Sequence, residues 1–405
     1  MTYLIVLLPI FAQLASILPY ISLGELLLIP FIIWNILVLK KFRLPKGILI
    51  FYGIPILLTL ITSPFNDFFQ WKDACTVIAR IVYYITLISV AYSCFNIERA
   101  SKCYFIVGMM SAIYLFMQVV LYYGWGYLLP IPRTFSEFLF SYSDSILAFD
   151  YFSIFGFRPA SIFTEPSYYA DYIAPLIAIL LFSEDNNHYI KNLGMKKRIF
   201  SAVFLSITLL LSTSNMGVLY AIILWSSFLF VGNKVILTIT QRIIISFCFL
   251  IIVASLYANG NFDFLINRLF SGGSLGARFI RGFIIFGHMD FFSQLFGIGL
   301  NNVENFVRYY SIYTPYDEQD LGYTITLTNR IITTGCIGLS ALITSLCIWF
   351  KNYSKNLQMV LLIIISATFM FANGEYTYGF PFLFIMVLKS ETITKAINFS
   401  SDKIS

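Results

Sequence analysis

The sequence predicts an all-α polytopic membrane protein of about twelve transmembrane helices, and three observations predict it. Of the 405 residues, 59% are apolar and only 11% are charged, with a mean hydropathy of +0.82; a soluble globular chain is nearer half apolar and a quarter charged. Leu, Ile, Phe and Tyr recur in blocks of roughly 17 to 22 residues between short polar breaks, the length an α-helix needs to cross about 30 Å of hydrocarbon. The blocks do not alternate over segments of about ten residues, which excludes a transmembrane β-barrel.

Taken in order, the candidate spans lie near residues 2–18, 21–39, 47–63, 74–95, 103–123, 166–183, 199–213, 216–231, 243–258, 329–350, 357–372 and 377–390. The first block has no basic flank and runs straight into the second, so it reads as a retained helix rather than a cleaved signal peptide. Alternate connections carry the basic residues: Lys40, Lys41, Arg43 and Lys46; Arg99 and Lys102; Lys191, Lys196, Lys197 and Arg198; Lys234 and Arg242; Lys351 and Lys355; and Lys389, Lys395 and Lys403 in the tail. These are 17 of the 26 lysines and arginines. Basic flanks stay in the cytoplasm, so both termini are predicted cytoplasmic. The net charge of +6 is mostly this orientation signal and gives no ground for a nucleic-acid partner. An even number of spans places the two long connections, 124–165 and 259–328, on the extracytoplasmic side, where long irregular loops within a compact bundle tend to be functional. Residues 1–405 read as one integral-membrane unit with neither an internal repeat nor a separate soluble domain.

The first long connection ends in FRPASIFTEPSYYADY, residues 157–172. Pro166 suits the first turn of a helix, with Thr164 or Glu165 near its cap. Arg158 and Glu165 either form a salt bridge at the membrane edge or face a ligand. Asp171, one turn into the helix, is an intramembrane carboxylate and so a functional candidate. An arginine, two acids and the rings of Tyr168 and Tyr169 at one helix mouth suit a sugar phosphate. The second long connection holds Gly272, Gly273 and Gly276, which free backbone amides for an anion, then Arg278 and Arg281 on one helical face. The run from Phe279 to Phe296, with His288, Asp290 and Gln294 interspersed, is predicted as an amphipathic helix in the interface. Glycines that only make a turn and arginines that only touch headgroups are the plainer reading. Arg80, within the fourth span and seven residues from Asp73, either snorkels toward an interface or meets a substrate, and Glu25, Asn215 and Glu375 near extracytoplasmic helix ends carry the same ambiguity. The two histidines stand 100 residues apart and the six cysteines form no CxxC pair, which argues against a metal centre or a disulfide frame.

At these loops the chain resembles the O-antigen polymerase family, the Wzy proteins that join lipid-linked oligosaccharide repeat units in bacterial surface-polysaccharide synthesis. The resemblance covers most of the chain. It is carried by FRPASIFTEPSYYADY, by LLLSTSNMGVLYAII at 209–223, by the glycine and serine run before Arg278, by FGIGLNN, and by TNRIITTGCIGL at 328–339. It implies a glycosyltransferase of the C type (GT-C) in the bacterial inner membrane, acting on undecaprenyl-diphosphate-linked saccharides without a nucleotide sugar, cofactor or metal. A chain-length regulator and a flippase are the partners it implies. Arginines of the two large external loops are the family's functional residues, here Arg158 and Arg278 with Arg281 close by. The related O-antigen ligases carry a His-Asn pair before the late helix where this chain has Thr328 and Asn329, which lowers the ligase reading.

The chemistry this implies is modest in its demands. A diphosphate leaving group carries its own activation, so the protein has to neutralise charge and position an acceptor hydroxyl. Guanidinium forks of Arg158, Arg278 and Arg281 suit the diphosphate. Glu165, with Asp171 or His288 as alternates, would orient or deprotonate the acceptor, and Tyr168, Tyr169, Tyr309, Tyr310 and Tyr313 would stack on sugars or simply occupy the interface. The rival from another class is a lipid-linked oligosaccharide flippase or other transporter. That class is expected to place charges at the midplane in broken helices, whereas the charges here crowd one face.

The basic tally predicts that single cysteines placed in 184–198 are inaccessible to a membrane-impermeant thiol reagent from outside intact cells, and that cysteines in 124–165 are accessible. Labelling of 184–198 from outside overturns the topology.

Overall fold

The computed structural model describes residues 1–14, 21–129, 152–153, 156–183, 187–231, 275–313 and 324–390, with isolated positions between 238 and 247. Among these the chain is almost entirely helical: α1 (Thr2–Phe11), α2 (Leu23–Leu37), α3 (Ile48–Thr62) with a 3-10 turn at Ser63–Phe65, α4 (Trp71–Cys94), α5 (Ile97–Trp125), α6 (Pro166–Phe182), α7 (His188–Asn192), α8 (Met195–Leu211), α9 (Asn215–Val231), α10 (Leu275–Gly287), α11 (Phe291–Phe296), α12 (Val303–Tyr309), α13 (Thr326–Asn352), α14 (Asn356–Phe371) and α15 (Gly379–Lys389). One antiparallel bridge pairs Phe152 with Phe157 and Ser153 with Gly156.

Local side chains set several helix ends. Ser22 and Glu25 form a capping box at the start of α2. Pro166 opens α6 behind Glu165. Asp290 caps α11 through the Phe292 amide, and so it divides the single helix predicted over Phe279–Phe296 into α10 and α11. Four stretches are long and apolar enough to cross a membrane: Ile48–Phe65, α4, α5 and α13. Among the other apolar helices α1, which ends at Phe11, and α15, with only 11 residues, are shorter than predicted, whereas α9 and α14 run close to the predicted length. The predicted span 243–258 lies outside the described residues apart from isolated positions, as do 130–151, 259–274 and 314–323 of the two long connections.

Among the described residues, the basic connections 40–46, 96–102 and 184–198 and the Lys389 end of α15 make contacts at the ends of the helices they join. Arg43 and Lys389 both lie over the Tyr92 ring, at 5.2 and 5.8 Å. The Trp349 indole donates to the Lys46 carbonyl (3.2 Å), Asn187 donates to Ser101 (2.7 Å), and Arg198 donates to the Leu180 and Ser183 carbonyls. The centre of the bundle is made by α6 and α15, where every residue from Tyr172 to Phe182 and from Gly379 to Lys389 is buried. α6 packs against α5, α8, α9, α14 and α15. From Lys389 an 11-residue helix rises roughly 16 Å and the 16 residues of α14 roughly 24 Å. Each helix alone is shorter than the roughly 30 Å of a hydrocarbon core, and the connection 372–378 joins their ends.

Helix α13 is broken. Gly335 has φ +63° and ψ −169°, backbone that only glycine adopts readily. The break frees carbonyls that the FGIGLNN segment recaptures: Ile298 and Gly299 donate their amides to the Ile332 and Thr333 carbonyls at 3.1 and 2.9 Å. Gly297 lies so close that an added Cβ would sit 2.2 Å from the Thr333 oxygen. Farther along, Leu300 donates to Thr59 (3.1 Å), the Gln70 amide donates to Asn302 (2.8 Å), and Asn305 donates to Asp73 (3.0 Å). The segment thus ties the broken helix to the turn between α3 and α4.

Gly335→Ala forces the strained φ on a residue with a Cβ that would lie 2.3 Å from the Leu295 carbonyl. The expected outcome is a loss of at least about 1–3 kcal/mol, seen as a lower unfolding midpoint of the purified protein in detergent. An unchanged midpoint would show that the break is not needed.

Candidate functional site

The head of α6 and the connection 372–378 face each other. The segment before α6 is seated along α5, where Gln118 exchanges hydrogen bonds with Ser161 (2.9 and 3.2 Å), Ser161 donates to the Ser111 carbonyl (2.6 Å), and Phe157 stacks on Tyr122 at 4.1 Å. Thr164 donates to Gln13 of the α1 end. Glu165 is left exposed at the rim, accepting from Ser167 at 2.9 Å. One turn down, Asp171 accepts from the Tyr220 hydroxyl of α9 at 2.6 Å, and Tyr220 is paired in turn with Thr368 of α14 at 2.7 Å. Across from Asp171 stand Thr377, Tyr378 and Gly379. The Tyr168 and Tyr378 rings are 5.6 Å apart, and Tyr378 is within electrostatic reach of Asp171, Glu165 and Tyr84. Tyr168, Asp171, Thr377 and Tyr378 are all partly exposed, so this is a crevice rather than a sealed core.

Connection 372–378 is held by a buried ion pair. Glu375, 0% exposed, accepts from Arg330 Nε through Oε2 and from Asn329 Nδ2 through Oε1 at 2.8 Å. Its carbonyl accepts from the Tyr52 hydroxyl at 2.9 Å. The Arg330 guanidinium lies over the Phe51 ring at 4.7 Å and faces Tyr376 at 5.6 Å. Thr326 adds two bonds to the Ala372 carbonyl and one from the Gly374 amide. Both carboxylate oxygens of Glu375 are thereby used in holding the loop, which makes it a positioning group. On α2, Glu25 accepts from Tyr84 (3.2 Å), and its carbonyl accepts from Tyr83 (3.1 Å).

The predicted residues are distributed unevenly around this crevice. Glu165, Asp171 and Tyr168 come together at it. Arg158 lies eight residues before Pro166 on the seated segment, half-buried. Tyr169 is fully buried and donates to Thr208 of α8 at 2.6 Å, which makes it a packing residue between α6 and α8 rather than a sugar platform. Arg281 is buried where α10 crosses α13, next to Gly282, which leaves no room beside Thr328. Arg278 is on the α10 backbone, and its side chain lies outside the described residues, as do Gly272 and Gly273. His288 is exposed at the α10 C-terminus with Nδ1 against the Ile284 carbonyl of its own helix, away from the two carboxylates. Phe279 and Phe283 are exposed along α10, the apolar outer face expected of an interfacial helix. Tyr309, Tyr310 and Tyr313 are exposed too, with Tyr309 and Tyr310 clustered about Phe68.

Sequence reasoning missed Arg330 and the role of Tyr220. Arg330 is a single arginine inside an apolar 27-residue helix, a signal that could have been weighed like Asp171. Tyr220 has no such signal among 27 tyrosines. Among the described residues no three His, Cys, Asp or Glu side chains gather as metal ligands. Comparison with known protein families and with curated proteins finds no match to the chain.

Glu375→Ala leaves the Arg330 charge buried without its partner, and the expected destabilisation is about 3–5 kcal/mol. Replacing both, as Arg330→Met with Glu375→Leu, is expected to recover much of that loss. Thermal unfolding of the two purified variants checks it, and equal losses would mean that the pair does not act as a unit.

Proposed function

We propose that the protein is a membrane glycosyltransferase that polymerises undecaprenyl-diphosphate-linked oligosaccharide repeat units on the extracytoplasmic face of the bacterial inner membrane, with twelve spans of GT-C type and both termini cytoplasmic. The observation that carries the reading is Asp171. It is a carboxylate at a helix mouth with one oxygen held by Tyr220, lying in a crevice rimmed by Glu165, Tyr168 and Tyr378. Partly exposed aromatic rings beside carboxylates suit a sugar, and a fixed carboxylate suits a general base.

In the proposed reaction Asp171 takes the proton of an acceptor hydroxyl as that oxygen bonds to the anomeric carbon of the donor. The bond from that carbon to the lipid diphosphate breaks, and the diphosphate leaves with the electron pair. Arg158, Arg278 and Arg281 would neutralise it, since guanidinium groups stay charged and bind phosphate through two donors. Glu165 orients the acceptor at the rim. His288 is the weakest of the three base candidates, being turned to its own helix.

A second reading has its own observation. Arg330 and Glu375 are a buried charge pair on a broken helix and a loop that joins two helices each shorter than the hydrocarbon thickness, the arrangement expected of a transporter of lipid-linked oligosaccharides.

The two are separated by reconstituting the purified protein in vesicles with lipid-diphosphate-linked repeat units, no nucleotide sugar and a strong chelator. The expected products contain two or more repeats. Arg158→Ala and Arg278→Ala are expected to abolish them with the protein still folded, and Asp171→Asn to slow them about 10²–10⁴-fold. Movement of the lipid-linked substrate across the bilayer without any new glycosidic bond overturns the polymerase and favours the transporter.

A further inference from the structure

The hairpin LLLSTSNMGVLYAII, residues 209–223, brings Tyr220 to the crevice. Tyr220 is fully buried and bridges two helices: its hydroxyl is 2.6 Å from Asp171 Oδ1 and 2.7 Å from Thr368 Oγ1, and Thr368 donates to the Ile364 carbonyl at 2.9 Å. Each hydroxyl has one proton to give and two lone pairs to receive with. When Asp171 is ionised, Tyr220 donates to Oδ1. When a proton sits on Oδ2, Oδ1 still accepts from Tyr220, and the single Thr368 proton goes to the Tyr220 oxygen or to the Ile364 carbonyl. The bond from Tyr220 to Oδ1 is therefore kept in both charge states of Asp171, with no movement of heavy atoms.

The other oxygen faces open space. A Cβ placed on Gly379 would lie 3.9 Å from Asp171 Oδ2 and 3.5 Å from Thr377 Oγ1, both ordinary contacts. A small cavity of about 10 Å³ lies there, lined by Asp171, Thr368, Thr377 and Gly379 above Phe369 and Phe380. That is about the space one hydroxyl or one water occupies.

We propose that Tyr220 and Thr368 are positioning residues that fix Asp171 by Oδ1, so that Oδ2 alone, in the space kept open by Gly379, receives the acceptor proton. This rests on the glycosyl-transfer reading for its last clause only; the anchoring of Asp171 stands apart from it. The acceptor O–H bond breaks, the proton passes to Oδ2, and the freed electron pair forms the bond to the anomeric carbon as the diphosphate departs. Return of the proton to water at the partly exposed mouth of the crevice restores Asp171.

The test has two arms. In the first, the purified full chain is treated with a hydrophobic carbodiimide across pH, and the modification of Asp171 is read by peptide mass spectrometry. Tyr220→Phe and Thr368→Val are expected to move the midpoint of labelling by more than half a pH unit. Tyr104→Phe, which deletes a buried hydroxyl bonded to the Tyr172 carbonyl of the same helix, is expected to leave it in place. An unmoved midpoint in Tyr220→Phe overturns the anchoring whatever the protein's activity. In the second arm, Tyr220→Phe is expected to lower kcat for repeat-unit joining about 10- to 100-fold with KM within about twofold, and Gly379→Ala to lower kcat by filling the space at Oδ2. Combined with Asp171→Asn, Tyr220→Phe should cost nothing further, because residues acting as one unit are not additive. Additive losses in that background would reduce Tyr220 to a packing role. If the wild type joins no repeat units while the labelling midpoint still moves, the polymerase reading and the proton transfer fail and the anchoring holds.

Discussion

Inside hydrocarbon a free backbone carbonyl has no water to turn to, so a helix can break there only if another part of the chain supplies donors at the break. The rest of the site depends on how the break at Gly335 in α13 meets that requirement. Ile298 and Gly299 supply the two amides, and they can approach only because Gly297 and Gly335 lack side chains at the contact. The first part of α13 then brings Thr326, Asn329 and Arg330 to one loop. Their bonds to Ala372, Gly374 and Glu375 fix the connection 372–378. Thr377, Tyr378 and Gly379 follow directly in sequence, and so they arrive opposite Asp171 without needing strong contacts of their own.

The energetics of the Arg330 and Glu375 pair fit a positional role. Desolvating two charges costs several kcal/mol per ion and is only offset when geometry and further hydrogen bonds are good. Here Asn329 occupies the second carboxylate oxygen, and the Phe51 ring covers the guanidinium face. An apolar pair of equal volume would cost less to bury but would accept several registers between the broken helix and the loop. The ion pair accepts few. That specificity matters where a one-residue slip would carry Tyr378 and Gly379 away from Asp171.

What was legible in the sequence follows from the range of each signal. The apolar blocks and Pro166 at the start of α6 are local properties of a few residues, and they reappear in the structure at those positions, whereas Glu25, left ambiguous in the sequence, closes a capping box with Ser22. The alternation of the basic connections was legible because it is a property of side-chain charge summed over many loops. Helix lengths were less so. Residues after Phe11 are apolar enough to continue a span, but nothing in composition says that the chain turns there. Asp290 was read as a polar residue within one helix, and its capping of Phe292 was missed because a cap and an interfacial aspartate look alike in sequence. The site itself was half legible. Glu165, Tyr168 and Asp171 are neighbours along the chain and stayed neighbours in space, while Tyr220, Thr368, Arg330 and Glu375 meet across separations of 45 to 148 residues that no local pattern encodes.

The placement of charge bears on the two functional readings in a way that composition did not foresee. Carboxylates of a transporter site must be reachable from both sides in turn, which requires the surrounding elements to rock or separate. Asp171 is held by three helices at once, through Tyr220 on α9 and Thr368 on α14, and α6 itself is buried along nearly its whole length. Moving it would break a row of bonds in a medium that offers no replacement. A general base has the opposite requirement: it works best when fixed within a fraction of an ångström of the proton it takes, with its orientation settled before the substrate arrives. The rigidity around Asp171 therefore favours chemistry at this crevice over passage through it. The charge pair on the broken helix, the feature shared with transporters, serves here to hold the opposite wall of the crevice still.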